Sequence, residues 1–269
     1  MNSIRKLLAP RRLLKPLSLA VGFTLGSLWL NRRNSCCGII GVITTSNNAE
    51  IVVKEGVSLL QNRGYDSAGI VTFTRGDATQ APESHLTKYG KEDVKEDCVE
   101  MVCKETVENH KGSYMGIGHT RWATCGSKTS PNAHPHFDET HNYYLVHNGT
   151  IVNYKELKDT YLKDKHFTSE TDTEVIVQLL AKLCDEGGLT LEEGLRKLQD
   201  YLIGQWGLVA MSRKQPDEIC VCTYGSPILV GFGTGGIYVA SESIAFEKYT
   251  KDYMETRNDE IFTLSLSTI

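Results

Sequence analysis

The chain has 269 residues, 29 of them basic and 33 acidic, for a formal net charge of −4 at neutral pH. That length supports one large domain or two small ones with a core that needs no disulfides, so the eight cysteines are expected to be reduced thiols. No pair of Cys-x-x-Cys units and no Cys/His alternation matches zinc spacing, and neither a structural metal nor another cofactor is expected.

The charge is unevenly divided. Residues 1–35 hold Arg5, Lys6, Arg11, Arg12, Lys15, Arg32 and Arg33 and no acid, leaving 22 basic and 33 acidic side chains in the rest. That acidic remainder shows no basic face or aromatic platform, which excludes nucleic acid as an expected partner. The start of the chain resembles a mitochondrial transit sequence, and Pro16 to Asn31 adds an uncharged, mostly apolar run closed by Arg32-Arg33. As a helix this run would span ~24 Å against a hydrocarbon core of ~30 Å. It fits either a cleaved transit peptide or a retained inner-membrane anchor whose flanking basic side chains snorkel outward. Residues 1–35 are therefore read as a targeting or anchor segment, with possible membrane contact through residues 16–31.

After the leader, Cys37 stands at the head of a β-branched, glycine-punctuated run through Ile43 that reads as a buried strand. Glu50 to Asn62 follows as an amphipathic helix stopped by Gly64. Ala68 to Thr74 is strand-like, Gly76 to Ser84 reads as a loop, and the spacing predicts a helix over Glu92 to His110. Tyr114 to Arg121 and Tyr143 to His147 are expected strands. The polar segment between them, Ala123 to Asn142, is longer than a compact domain usually leaves without function. Helices are expected within Tyr154 to Lys165, from Thr171 through Leu183 with a capping signal at Ser169-Glu170-Thr171-Asp172, and near Leu191 to Leu202. Strands follow at Trp206–Ser212, Glu218–Tyr224, Ile228–Phe232, Ile237–Ser241 and Ile261–Leu266. Cys220 and Cys222 alternate along one of them and should face one side as core filling. Strands at both ends and helices between fit an α+β fold of two packed sheets with helices outside.

Three clusters carry chemistry. A thiol attacking a carboxamide needs a base, a substrate clamp and donors for the developing oxyanion. Arg121, leaving a strand into the long loop, offers a guanidinium for a carboxylate. Asn148 and Gly149, ending another strand, offer an amide and a backbone N–H to one oxygen. Asp172, in the first turn of a helix, offers a carboxylate to an ammonium. Each also has a plainer explanation: a packed thiol for Cys37, a salt bridge for Arg121, a turn for His147-Asn148-Gly149, and helix capping for Asp172. His134-Pro135-His136 lacks a third spaced ligand and reads as loop scaffolding rather than a metal site.

Taken together the motifs are more specific. Cys37-Gly38-Ile39-Ile40-Gly41, Asn62-Arg63-Gly64-Tyr65-Asp66-Ser67-Ala68-Gly69, Gly118-His119-Thr120-Arg121-Trp122-Ala123-Thr124, Asn132-Ala133-His134-Pro135-His136, His147-Asn148-Gly149 and Ser169-Glu170-Thr171-Asp172-Thr173-Glu174 occur in the order seen in class II glutamine amidotransferase domains. The resemblance covers Cys37 to about Leu266, so residues 37–269 are read as a glutaminase-like domain. Within that class, Tyr65, Trp122 and the Ser169–Glu174 run are most similar to the glutaminase domain of glutamine–fructose-6-phosphate aminotransferase.

The resemblance implies an N-terminal-nucleophile hydrolase fold, a four-layer αββα sandwich of two antiparallel sheets, and hydrolysis of glutamine to glutamate and ammonia. It implies Cys37 as nucleophile, Asn148 and Gly149 as oxyanion hole, Arg121, Trp122, Thr124 and Asp172 as the glutamine site, and Arg63 as orienting the thiol end. The base is then the free α-amino group of Cys37 itself, with a pKa near ~7.7–8.0. Two departures stand out. The family's sugar-phosphate isomerase domains are absent from this chain, and Cys37 is internal, preceded by Cys36 and the leader. Cys125 and Asn62 also differ from the family's usual residues. Two expectations follow. One is a glutaminase exposed by cleavage before Cys37 that feeds ammonia to another subunit. The other is an uncleaved, catalytically inactive accessory subunit of a mitochondrial inner-membrane assembly.

Overall fold

In the computed structural model, residues 37–76, 81–123 and 126–268 are described; the leader with its apolar run, and Thr124, lie outside them. Strand β1 (Gly38–Thr44) is interior to its sheet, with β4 (Ser113–Arg121) on one side and β10 (Gly236–Ala240) on the other. Beyond β4 come β2 (Ser67–Thr74) and then β3 (Glu83–Gly90) at the edge. Beyond β10 come β9 (Leu229–Gly233) and β11 (Tyr253–Glu255). A second sheet runs in the order β12 (Ile261–Leu264), β8 (Gln215–Tyr224), β7 (Gly204–Ser212), β6 (Tyr143–Ile151) and β5 (His136–Phe137). Every ladder in both sheets is antiparallel.

The period of two along each strand produces the layers. On β1, Ile39 and Ile43 pack with Val146 of β6, Val209 of β7 and Val221 of β8 in a core between the sheets. The alternate residues Ile40 and Val42 pack against α1 (Ala49–Leu59) and α2 (Cys98–Asn109) through Val53, Val57 and Val102. The outer face of the second sheet, with Leu145, Leu208 and both Cys220 and Cys222, packs against α3 (Tyr154–Tyr161), α4 (Asp172–Gly187) and α5 (Leu191–Leu198). The order helices, sheet, sheet, helices is the αββα sandwich, and the two alternating cysteines fill one face as their spacing predicts. The described cysteines, including these two, are free thiols.

Sequence and structure differ at the polar edges. The stretch read as a loop to Ser84 gives way at Glu83 to β3, an edge strand whose side chains are mostly half-exposed, so burial imposes little apolar alternation on it. Helix α2 starts at Cys98 instead of Glu92, because the Asp97 carboxylate accepts hydrogen bonds from Val99 N at 2.9 Å and Glu100 N at 3.1 Å and caps it there. The long polar segment contains the two-residue β5, and the three-residue β11 on the exposed surface is too short to carry a period-two pattern. Helix α4 is capped by Thr171, whose hydroxyl accepts from Glu174 N, and stops at Gly188, which is left-handed with φ of 60°. No helix among the described residues is long and apolar enough to cross a membrane.

Ile117 on β4 is fully buried between the sheets. Ile117→Ala is expected to cost about 2–5 kcal/mol of stability through the cavity it leaves, read as a lower urea midpoint at unchanged slope.

Candidate active site

The strand registers bring the candidate residues to one end of the sandwich. Gly38 pairs with Thr120, and Ser67 pairs with Arg121, so the start of β1, the start of β2 and the end of β4 coincide. Thr120 locks this corner: its hydroxyl accepts from Gly38 N at 3.2 Å and donates to Leu60 O at 3.0 Å. On the other side of β1, Ser241 Oγ accepts from Ile39 N at 3.0 Å. Gly64 fits here because a Cβ would lie 2.4 Å from the carbonyl carbon of Arg121, so the Asn62–Gly69 turn presses backbone to backbone against the end of β4.

Cys37 is half-buried, with its Sγ against the Trp122 peptide: Trp122 N donates to the sulfur at 3.3 Å, and the Trp122 carbonyl lies 3.6 Å away. From the second sheet, Asn148 Nδ2 donates to the Cys37 carbonyl at 2.7 Å. Asn148 Oδ1 lies 3.1 Å from His119 Nε2, which also sits 3.2 Å from the His147 carbonyl. Gly149 next to it has φ of 135°, and a Cβ there would meet the Gln205 carbonyl at 2.1 Å, so no other residue fits this backbone. Cys37 and Asn148, 111 residues apart in sequence, meet here, with Gly149 next to the asparagine.

The remaining predicted residues surround this group. Arg63 pairs with Glu242 at 2.5 Å, and buried Arg121 donates from Nη1 to the Ser127 carbonyl at 3.3 Å. The Trp122 ring meets Tyr65 edge to face at 5.2 Å. Asp172 Oδ2 accepts from Ile151 N at 2.8 Å, fixing the head of α4 to the end of β6. The loop after Trp122 is tied down by acids from two other segments. Asp66 accepts from Ala123 N at 3.0 Å and pairs with Lys128 at 2.7 Å, while Glu170 accepts from Ser127 N, Ser127 Oγ and Asn132 Nδ2, each at 3.1 Å.

Behind the thiol lies a cluster of neutral histidines. His119 stacks on His134 at 4.2 Å, His134 meets His136 edge to face at 4.8 Å, and His134 Nδ1 accepts from His147 N at 3.3 Å. His136 Nε2 bonds Thr171 Oγ1 at 3.0 Å, which ties the loop to the cap of α4. Burial pushes the pKa of His119 down to about 3 and holds His134 and His136 well below the usual imidazole range; charges on neighbouring His and Arg121 add to the effect. These rings scaffold the site by hydrogen bonding and stacking. Among the described residues no group of three or more His, Cys, Asp or Glu side chains is arranged to hold a metal.

Comparison with known proteins decides the family. A family model described as a glutamine amidotransferase domain matches residues 105–263. The chain belongs to the class II glutamine amidotransferase family. The glutamine–fructose-6-phosphate aminotransferase (isomerizing) of Streptococcus pneumoniae is 38% identical over 234 residues, covering 87% of this chain and 36% of that enzyme. The enzyme of the same name from Lactiplantibacillus plantarum is 40% identical over 226 residues, covering 84% of this chain and 35% of that protein. The chain thus spans little more than a third of the length of these relatives. Among solved structures, one titled the allosteric regulatory enzyme of purine biosynthesis superposes with a TM-score of 0.69 at 26% identity, over 86% of this chain and 47% of the other. The glutamine phosphoribosylpyrophosphate amidotransferase of Bacillus subtilis gives a TM-score of 0.68 at 24% identity, over 86% of this chain and 48% of that one, and shows the shared fold.

In this amidotransferase domain the structure gathers Cys37, Arg63, Arg121, Trp122, Asn148, Gly149 and Asp172 at one end of the sandwich, and Thr124 lies outside the described residues. Sequence reasoning missed the supporting partners. Ser241 lies 202 residues from Ile39 and Glu242 is similarly remote from Arg63, and no spacing signals them. Asp66, Thr120 and Glu170 stood inside quoted motifs, where their polar side chains beside glycines and strand ends were the available signal.

Two outcomes test this geometry. Gly149→Ala is expected to lower stability by about 1–3 kcal/mol, because the backbone there is strained for any side chain; a thermal melt measures it. Acid is expected to destabilise the domain early. The folded protein resists protonating His119, His134 and His136, and also His110, whose pKa burial lowers to about 4, whereas the unfolded chain takes up those protons below about 6.5. Stability is therefore lost as pH falls through 6.5 toward 4, by up to about 1.4 kcal/mol per pH unit for each such group. Melting midpoints between pH 7.5 and 4.5 would show the fall, and a flat profile would contradict it.

Proposed function

We propose that the domain hydrolyses the side-chain amide of glutamine with Cys37 as nucleophile. The observation that carries this reading is the hydrogen bond from Asn148 Nδ2 to the Cys37 carbonyl, which sets an amide donor with a second N–H beside the thiol. The free α-amine of Cys37 takes the thiol proton, and the sulfur attacks the carboxamide carbon. Asn148 and the Gly149 N–H hold the oxyanion. Its collapse breaks the C–N bond, ammonia leaves with the returned proton, and water cleaves the resulting thioester. Arg121 holds the substrate α-carboxylate and Asp172 its α-ammonium, with Trp122 and Thr124 lining the site and Arg63 at the thiol end. The similarity to glutamine–fructose-6-phosphate aminotransferases supports a role in which the ammonia passes to an acceptor.

A second reading follows from the sequence before Cys37. While that peptide bond is intact, the nitrogen is an amide without useful basicity, and the domain is a silent accessory subunit. The basic, acid-free leader supports mitochondrial delivery, and residues 16–31 would supply the inner-membrane contact in that case.

The two readings separate on one experiment. A chain beginning at Cys37 is expected to release glutamate from glutamine, and Cys37→Ala to lower the rate about 10⁴-fold or more. Intact mass of the protein from cells should then show Cys37 as the first residue. A mature chain starting elsewhere, with no glutamate released, would leave only the accessory reading.

A further inference from the structure

An asparagine side chain presents either its oxygen or its NH2 to a given neighbour, and the two orientations have opposite dipoles. Which one Asn148 adopts decides whether the group beside Cys37 attracts or repels a developing oxyanion. The contacts fix it from both ends. The Cys37 carbonyl, a pure acceptor, lies 2.7 Å from one Asn148 terminal atom, so that atom must be the NH2 nitrogen. His119 Nε2 faces two acceptors, Asn148 Oδ1 at 3.1 Å and the His147 carbonyl at 3.2 Å, so in the neutral ring Nε2 carries the proton. Nδ1 of the same ring is then a bare lone pair. It is buried and among the described residues meets no hydrogen-bond partner, so there the ring is held through its Nε2 side. The stack on His134 at 4.2 Å and the pairing of His119 with Ile39 in the β1–β4 register hold the ring in place.

We infer that His119 is a positioning residue, whose Nε2–H holds the Asn148 oxygen and thereby keeps the Asn148 NH2 turned toward Cys37 and the oxyanion. It acts only through Asn148. A flipped amide would face the Cys37 carbonyl and the oxyanion with its own oxygen. The inference deepens the glutaminase reading and rests on it for its kinetic consequence, but the amide orientation is a property of the protein alone.

The test uses His119→Phe, which keeps an aromatic ring for the stack and removes the donor, and His119→Gln, which restores an N–H near the Nε2 position. In chains beginning at Cys37, His119→Phe is expected to lower kcat about 10–100-fold with KM changed less than about twofold, and His119→Gln to regain most of it. In the full chain labelled with ¹⁵N-asparagine, the Asn148 side-chain NH2 pair, assigned by its loss in Asn148→Asp, should move toward exposed-amide positions in His119→Phe and stay in place in His119→Gln. A pair unmoved in His119→Phe, with kcat within twofold of the parent, would overturn the inference. So would an equal loss in both variants accompanied by a lower melting midpoint, which marks a core residue. If no form turns over glutamine, a pair that moves in His119→Phe and returns in His119→Gln supports the positioning role while the glutaminase reading fails by itself.

Discussion

A hydrogen bond across the sandwich, from the Asn148 amide of one sheet to the Cys37 carbonyl of the other, is the interaction on which the rest of the site depends. Two sheets packed through apolar side chains fix their spacing but leave sliding only weakly opposed, since dispersion and burial are not directional. A polar tie at the open end supplies the direction. It is made possible by the dense packing of Ile39, Val146, Val209 and Val221 behind it, and by Gly149, whose backbone brings β6 close to β7 immediately beside the tie.

The lock on Gly38 by Thr120 and on Ile39 by Ser241 gives β1 no freedom at its head. The loop after Trp122 is held in a different way, by carboxylates that accept from its backbone and side chains. Asp66 and Glu170 come from different layers of the fold, so this loop is fastened to both halves of the domain. Half-buried Cys37 therefore sits between a rigid strand and a strapped loop, and the buried histidines, whose pKa values are held low, place no cation beside Arg121.

Much of this was legible in the sequence, and the reasons differ by element. Interior strands such as Tyr114 to Arg121 announce themselves because both faces are buried, so that apolar residues and glycines follow one another from Tyr114 to Gly118. The edge strand Glu83–Gly90 does not, because an edge with half-exposed side chains carries little hydrophobic pattern. The site residues were readable as motifs because glycines and short polar side chains mark places where backbone must approach backbone. His119 stands among them, yet its neighbours in sequence assign it no role. A histidine's task is set by which nitrogen meets a donor or an acceptor, and that is decided by strand register and not by local sequence. Glu242, far along the chain and exposed in pattern, gave no signal that it would meet Arg63.

The interior place of β1 has a consequence for how this domain can be joined to anything else. With β4 and β10 paired along its two sides, β1 has no free edge, and the β1–β4 pairing begins at Gly38, the residue next to Cys37. Strand addition by another chain can reach only the edge strands β3, β11, β5 and β12, so it leaves the β1–β4 pairing beside Cys37 intact.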